Sequence, residues 1–154
     1  MTIQAKYKLK GSLNISGDKS ISHRSVIMGA MSIGETKIYN LLESKDILST
    51  VRILRKLGVK VKKGKDSWVV NGVGTSGFKQ PNQVLDAGNS GTTSRLMFGA
   101  VATNPILCSF TGDRSLSSRP MLRVTEFLKN IGAKTTLTKG NYLPLSIEGN
   151  LNSL

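Results

Sequence analysis

The strongest constraint on the fold is an internal repeat. Set "GDKSISHRSVIMGAM" against "GNSGTTSRLMFGAVA", and Gly17 meets Gly88, Asp18 meets Asn89 and Arg24 meets Arg95, an offset of 71. Apolar Val26, Ile27, Ala30 and Met31 fall on Met97, Phe98, Val101 and Ala102. Further on, Gly58 in "RKLGVKV" meets Gly132 in "KNIGAKT", an offset of 74. The second copy therefore carries a loop three residues longer, placed in "TGDRSLSS". The hairpin turn then aligns Gly64 with Gly140, and the copies close at Gly72 and Gly149. A unit of this size cannot cover its own apolar face, so the two copies must pack on each other or on a further partner.

Each copy predicts the same succession of elements, βαβαββ. A short strand, "SLNIS" or "QVLDA", leads into a helix whose apolar pairs recur at i, i+1, i+4 and i+5, one buried stripe. A second strand follows, "TKIYN" or "ILCSF". The second helix runs from about Ser44 to Leu57, or from about Arg119 to Ile131. Ser44 suits an N-cap, and Ile47, Leu48, Val51, Leu54 and Leu57 fall on one face. Gly58 and Gly132 stand where a left-handed C-terminal residue belongs. Two strands joined near a glycine finish each copy. The units span 15–72 and 83–149, joined by the polar, Gly-rich connector "VGTSGFKQPN" at 73–82, with 1–14 and 150–154 outside them. The class is α/β, of the α+β type.

Composition narrows the function. A formal charge of +13 calls for an anionic partner or for many solvated lysines. One cysteine forms no internal bridge and, with a single histidine, no zinc cluster. Cys108, within "PILCSF", reads as a buried reduced thiol. The N-terminal residues show no apolar core of signal-peptide length, and no run reaches a membrane span. A cytoplasmic protein without membrane contact, metal or cofactor is expected.

"GDKSISHR" raises the question of which anion. If a helix begins near Ser20, then Ser20 and Arg24 share a face and Lys19 precedes the first turn. A hydroxyl, an ammonium, a planar fork and free backbone N–H groups at the positive end of the dipole suit phosphate. Gly17 would let the backbone come close. A nucleotide P-loop does not fit, because Asp18 separates Gly17 from Lys19. The alternative is a solvated, capped helix start. The second copy repeats the geometry: Gly88 and Gly91 flank a helix start, Thr92 and Thr93 offer donors, and Gly91 and Arg95 are i, i+4. Glycine at a helix mouth costs roughly 0.5–1 kcal/mol if helical, which a ligand pressed on the backbone would explain. Arg119 would stand just before a helix start, with Pro120 in its first turn. His23 reads as a surface or capping residue, Asp46 as serving the helix start near Ser44, and Trp68 as strand packing. Asp46 and Asp113 do not read as an acid/base pair.

"GDKSISHR", "LDAGNSGTTSRL" and "GDRSLSSRPM", in this order and spacing, resemble the 5-enolpyruvylshikimate-3-phosphate synthase family, and the match runs from about Gly11 to Gly149. The resemblance implies the enolpyruvyl transferase fold: two domains, each an inside-out α/β barrel of three βαβαββ units, of which this chain would be an incomplete part. Residues before about Ile15 would cross to the other domain. It implies transfer of the enolpyruvyl group of phosphoenolpyruvate to the 5-hydroxyl of 3-phosphoshikimate, a step of aromatic amino acid biosynthesis in the shikimate pathway, with no metal. Lys19, Ser20 and Arg24 would hold 3-phosphoshikimate; Lys19, Gly91 and Arg119 would hold phosphoenolpyruvate; Arg95 would support.

The family's serine–glutamine motif, its acid/base aspartate and lysine, and its carboxylate-binding arginines would all lie past Leu154. We therefore expect a fragment with no catalytic residue of its own, inactive alone, whose partner is the remainder of the enzyme. A related transferase acts on UDP-N-acetylglucosamine, but it carries a loop cysteine that "GDRSLSSRP" lacks. A basic polyanion or nucleic-acid-binding domain would also explain the charge, yet only 5% of residues are aromatic and no nucleic-acid-binding signature is present.

Overall fold

The computed structural model describes residues 10–138 and 140–150. The first half runs α1 (Lys19–Met31), β1 (Ile33–Tyr39), α2 (Lys45–Lys56), β2 (Lys60–Lys63) and β3 (Ser67–Val73). The second runs β4 (Leu85–Asp86), α3 (Gly91–Ala102), β5 (Leu107–Thr111), α4 (Arg114–Ser117), α5 (Leu122–Asn130), β6 (Lys134–Thr138) and β7 (Tyr142–Glu148). One sheet has the order β1-β3-β2, all antiparallel; the other has β4-β5-β7-β6, with β4 parallel to β5. Remove β4, and the two orders are the same.

Three expectations need correction. No strand forms at "SLNIS", whereas its counterpart forms the short β4. In the second copy Asp86 pairs with Thr111. At the equivalent place in the first, a single side-chain bond from Asn40 Nδ2 to the Ile15 carbonyl, 3.2 Å, stands in for the ladder. The second helix of the second copy starts at Leu122, not Arg119. The longer loop folds into α4, capped by Asp113, whose carboxylate accepts from Leu116 N at 2.8 Å. Finally, Gly17 faces protein rather than ligand: a Cβ there would lie 2.1 Å from the Asn40 carbonyl oxygen.

The local signals otherwise act as their chemistry requires. Ser44 caps α2 by accepting from Ile47 N. Gly58 and Gly132 have φ of +88° and +89°. In both copies the next residue's N–H reaches back to the C3 carbonyl, Val59 to Leu54 and Ala133 to Leu128, the doubly bonded left-handed cap. Gly72 and Gly149 each lie under the C-terminal end of the first helix of their own copy, α1 and α3, where a Cβ would meet carbonyl oxygens at 2.2 and 2.1 Å.

Helices α1, α2 and α3 pack on one another and over the sheets, enclosing one continuous core. Phe98 and Phe110 meet edge to face at 4.9 Å within it. The polar connector is fastened to both halves: Phe78 is buried, its N–H donates to Asn104 Oδ1, and Lys79 N–H donates to the Leu57 carbonyl. Trp68 packs in β3 as expected and donates to Glu43 Oε1 at 3.0 Å. Cys108 is fully buried.

Candidate anion site

α1 begins one residue earlier than its sequence suggests. Asp18 is the N-cap, accepting from Ile21 N at 2.7 Å, and Lys19 is the first helical residue. The cap carboxylate thereby occupies one of the free amides of this mouth. Ser20 and Arg24 are exposed, one turn apart, and their side chains make no hydrogen bond or ion pair among the described residues. Lys19 is not free: its ammonium pairs with the Asp46 carboxylate of α2. Asp46 thus does more than serve the start of its own helix, where it also faces the positive dipole end.

The Lys19–Asp46 contact recurs one turn on, where His23 Nδ1 meets Thr50 Oγ1 at 2.8 Å. Four residues forward on both helices means that α1 and α2 run parallel with their N-termini together. α3 joins them through Thr93 Oγ1, which donates to the Asp46 carbonyl oxygen at 3.1 Å and meets Thr50 Oγ1 at 2.9 Å. Three helix mouths therefore form one rim, and their positive dipole ends add.

At the α3 mouth Ser90 is the N-cap and Gly91 the first helical residue. A Cβ at Gly91 would lie 2.7 Å from Arg95 Nη1 and 3.4 Å from Arg119 Nη1, so two guanidinium groups converge on it. Arg95 Nη2 donates to the Pro120 carbonyl at 3.3 Å. Arg119 Nη2 donates to Asn89 Oδ1 and Ser115 Oγ, each at 3.2 Å. Asn89 in turn donates to Asp113 Oδ2 at 2.7 Å. That bond, then the Leu116 amide, holds the Asp113 carboxyl below its ordinary range, with Arg119 a lesser cause. Among the described residues neither Arg95 nor Arg119 forms an ion pair within 4 Å. Two like charges side by side without a counter-ion make a place for an anion.

The structure brings Gly91, Arg95 and Arg119 together, and seats Lys19, Ser20 and Arg24 on the neighbouring mouth. Two readings change. Thr93 is fully buried and bonds protein groups instead of facing the rim, while Thr92 is exposed. His23 is neither a surface nor a capping residue: it is 0% exposed, and burial lowers its pKa from the ordinary value. Sequence reasoning missed Asn89, Asp113 and Ser115 as the frame of Arg119. It also missed Asp46 as the partner of Lys19. The only available signal was the repeat, which sets Asn89 opposite the cap Asp18. Among the described residues no cluster of metal-binding side chains occurs, and no helix is long and apolar enough to cross a membrane.

Comparison with known proteins gives one answer. Residues 3–153 match the family described as EPSP synthase (3-phosphoshikimate 1-carboxyvinyltransferase). A curated 3-phosphoshikimate 1-carboxyvinyltransferase of Paracoccus denitrificans is 51% identical over 150 residues, 97% of this chain and 34% of the relative. One of Bradyrhizobium sp. (strain BTAi1) is 52% identical over 151 residues, again 97% of this chain and 34% of the relative. The structure of EPSP synthase from Acinetobacter baumannii aligns with a TM-score of 0.86 and 39% identity, covering 91% of this chain and 32% of that one. The chain thus spans about a third of the length of the curated relatives it matches.

Proposed function

The chain belongs to the EPSP synthase family, and on that premise we propose that it carries one part of the substrate site of a 3-phosphoshikimate 1-carboxyvinyltransferase. Lys19, Ser20 and Arg24 hold 3-phosphoshikimate. Lys19, Gly91 and Arg119 hold phosphoenolpyruvate, with Gly91 allowing close backbone approach and Arg119 on the phosphate. The observation that carries this reading is the shared rim: three adjacent helix mouths, with two guanidinium groups free of ion pairs at one of them.

In the reaction, the 5-hydroxyl oxygen bonds to C2 of phosphoenolpyruvate, the hydroxyl loses its proton and C3 gains one. The tetrahedral adduct then loses a proton from C3 as the C2–O bond to phosphate breaks. Both substrates carry a phosphate and a carboxylate, so holding them side by side needs concentrated positive charge. That is what these residues supply. The proton transfers and the grip on the phosphoenolpyruvate carboxylate belong to the remainder of the enzyme, the partner we assign to this chain. The same reading divides the chain at 15–72, 73–82 and 83–149, with 1–14 crossing to the other domain and 150–154 a tail; 1–9 and 151–154 fall outside the described residues. Water-soluble phosphorylated acids as substrates suit the cytoplasm.

The test is a titration of the chain with 3-phosphoshikimate, followed by amide NMR. The amides of Gly17 to Arg24 should shift, and Arg24→Ala should abolish the shift. An unmoved spectrum at millimolar ligand defeats the reading. The chain alone should release no phosphate from phosphoenolpyruvate when 3-phosphoshikimate is added.

A further inference from the structure

One buried polar group lies outside everything assigned above. His23, Thr50 and Thr93, from three different helices, are each 0% exposed and meet in a row: Nδ1 to Thr50 Oγ1 at 2.8 Å, then Thr50 to Thr93 at 2.9 Å. Ser90, the cap of α3, adds a fourth group at 2.8 Å from Thr93 Oγ1. The row lies one helical turn beneath Lys19 and Asp46.

The proton directions can be worked out from the acceptors. Thr93 has one hydroxyl proton, and the Asp46 carbonyl beside it only accepts. Donating there, or to Ser90 Oγ at 2.8 Å, makes Thr50 the donor to Thr93 at 2.9 Å, shorter than its 3.5 Å contact with the Asp46 carbonyl of its own helix, and His23 Nδ1 the donor to Thr50. Nε2 is then left as a bare lone pair, and among the described residues it has no partner. A buried unpaired polar atom is destabilising. The repeat provides the comparison. Ser94 holds the equivalent place in α3, fully buried, and its hydroxyl is satisfied within its own helix by the Ser90 carbonyl at 3.0 Å. The fold therefore does not require an imidazole at this helix position. What the imidazole adds is a bond across helices that a short hydroxyl does not make.

We propose that His23 is a positioning residue for the rim: through Thr50 and Thr93 it fixes how the three helix mouths stand against one another, and so sets where the Lys19 ammonium stands. The Lys19 side chain is half exposed, and its location is defined by Asp46 on the neighbouring helix. One turn below, the tie that keeps those two helices in step is His23 to Thr50. The charged groups that act on the ring are Asp46 from α2, which favours the imidazolium, and Lys19 from its own helix, which opposes it; α3 brings hydroxyls. Burial, the largest influence, acts with Lys19 against Asp46 and lowers the pKa from its ordinary value, so the neutral ring serves as a fixed donor.

The inference rests on the proposed anion rim, and two measurements on the 154-residue chain keep the two apart. Imidazole NMR reads the network without ligand. A neutral ring protonated at Nδ1, whose signals move on Thr93→Val two bonds away, is expected. A ring protonated at Nε2, or one indifferent to Thr93→Val, overturns the inference. The second measurement is 3-phosphoshikimate binding by the variants. His23→Asn keeps a donor near the place of Nδ1 and removes Nε2, so it should hold wild-type affinity within about twofold. His23→Leu fills the space without the bond and should bind about tenfold more weakly, the equivalent of one lost hydrogen bond. Equal affinity for His23→Leu and wild type overturns the positioning role. If wild type itself does not bind, the functional reading fails, and the NMR response alone decides on the network. If His23→Leu does not fold, Thr50→Val, which removes the same tie from the other side, should show the tenfold loss, with Thr50→Ser restoring affinity.

Discussion

Replacing Gly91 with alanine separates the stability of this chain from its grip on an anion. The new methyl would lie 2.7 Å from Arg95 Nη1, about 0.7 Å inside ordinary contact, and 3.4 Å from Arg119 Nη1 and 3.7 Å from Leu116 Cδ1. The obstacle is the far end of a flexible side chain, not backbone. Turning Arg95 off its rotamer costs about 0.5–1.5 kcal/mol. Alanine in place of a helical glycine returns about 0.5–1 kcal/mol. The two nearly cancel, so unfolding stability should change by less than about 1 kcal/mol. Binding has no such compensation. The methyl stands where an anion would press on the Gly91 backbone, 3.4 Å from Arg119 Nη1, and weakens the anion's bond to Arg119; one charge-assisted bond is worth about 1.5–3 kcal/mol. That corresponds to roughly 10- to 100-fold in affinity. Urea unfolding and a phosphoenolpyruvate titration of the same two proteins give both numbers. A stability loss above about 2 kcal/mol would mean that Arg95 cannot yield. Unchanged affinity would mean that the convergence of Arg95 and Arg119 on Gly91 has no part in anion binding.

Two further outcomes follow from the packing. Gly149→Ala places a Cβ 2.1 Å from the Asn104 carbonyl and 2.5 Å from that of Val101; backbone at a helix end cannot move aside, so urea unfolding should show a loss of about 3 kcal/mol, and a loss under about 1 kcal/mol would show that the junction is soft. Burial pushes the Cys108 thiol up to about 12, so a thiol reagent at pH 8 should modify the chain no faster than it unfolds; rapid labelling of the native protein would contradict its place in β5.

What could be read from the sequence was whatever depends on neighbours along the chain. A cap or a left-handed turn is closed by bonds spanning three to five residues, so Ser44, Gly58 and Gly132 declare themselves. The repeat extended that reach, because two copies of one pattern must build two similar units. It correctly paired Gly72 with Gly149, the two points where a strand passes under a helix end. The same logic failed at "SLNIS", where pairing needs a partner strand and only Asn40 reaches across.

Residue types in order therefore determined the four longer helices, the caps at Ser44, Gly58 and Gly132, the doubled plan and the family. Tertiary structure decided which charges meet. Asp46 lies 27 residues from Lys19 and Arg119 lies 30 from Asn89, and no local pattern links either pair. Sequence alone offered His23 as a polar residue beside other polar residues, in a motif that looked exposed. Only the packing of three helices, which turns that position inward onto Thr50, made it a buried group. The physical reason is the range of the forces involved. Backbone hydrogen bonds and φ preferences act within a turn, whereas burial and charge pairing depend on which surfaces the chain brings together.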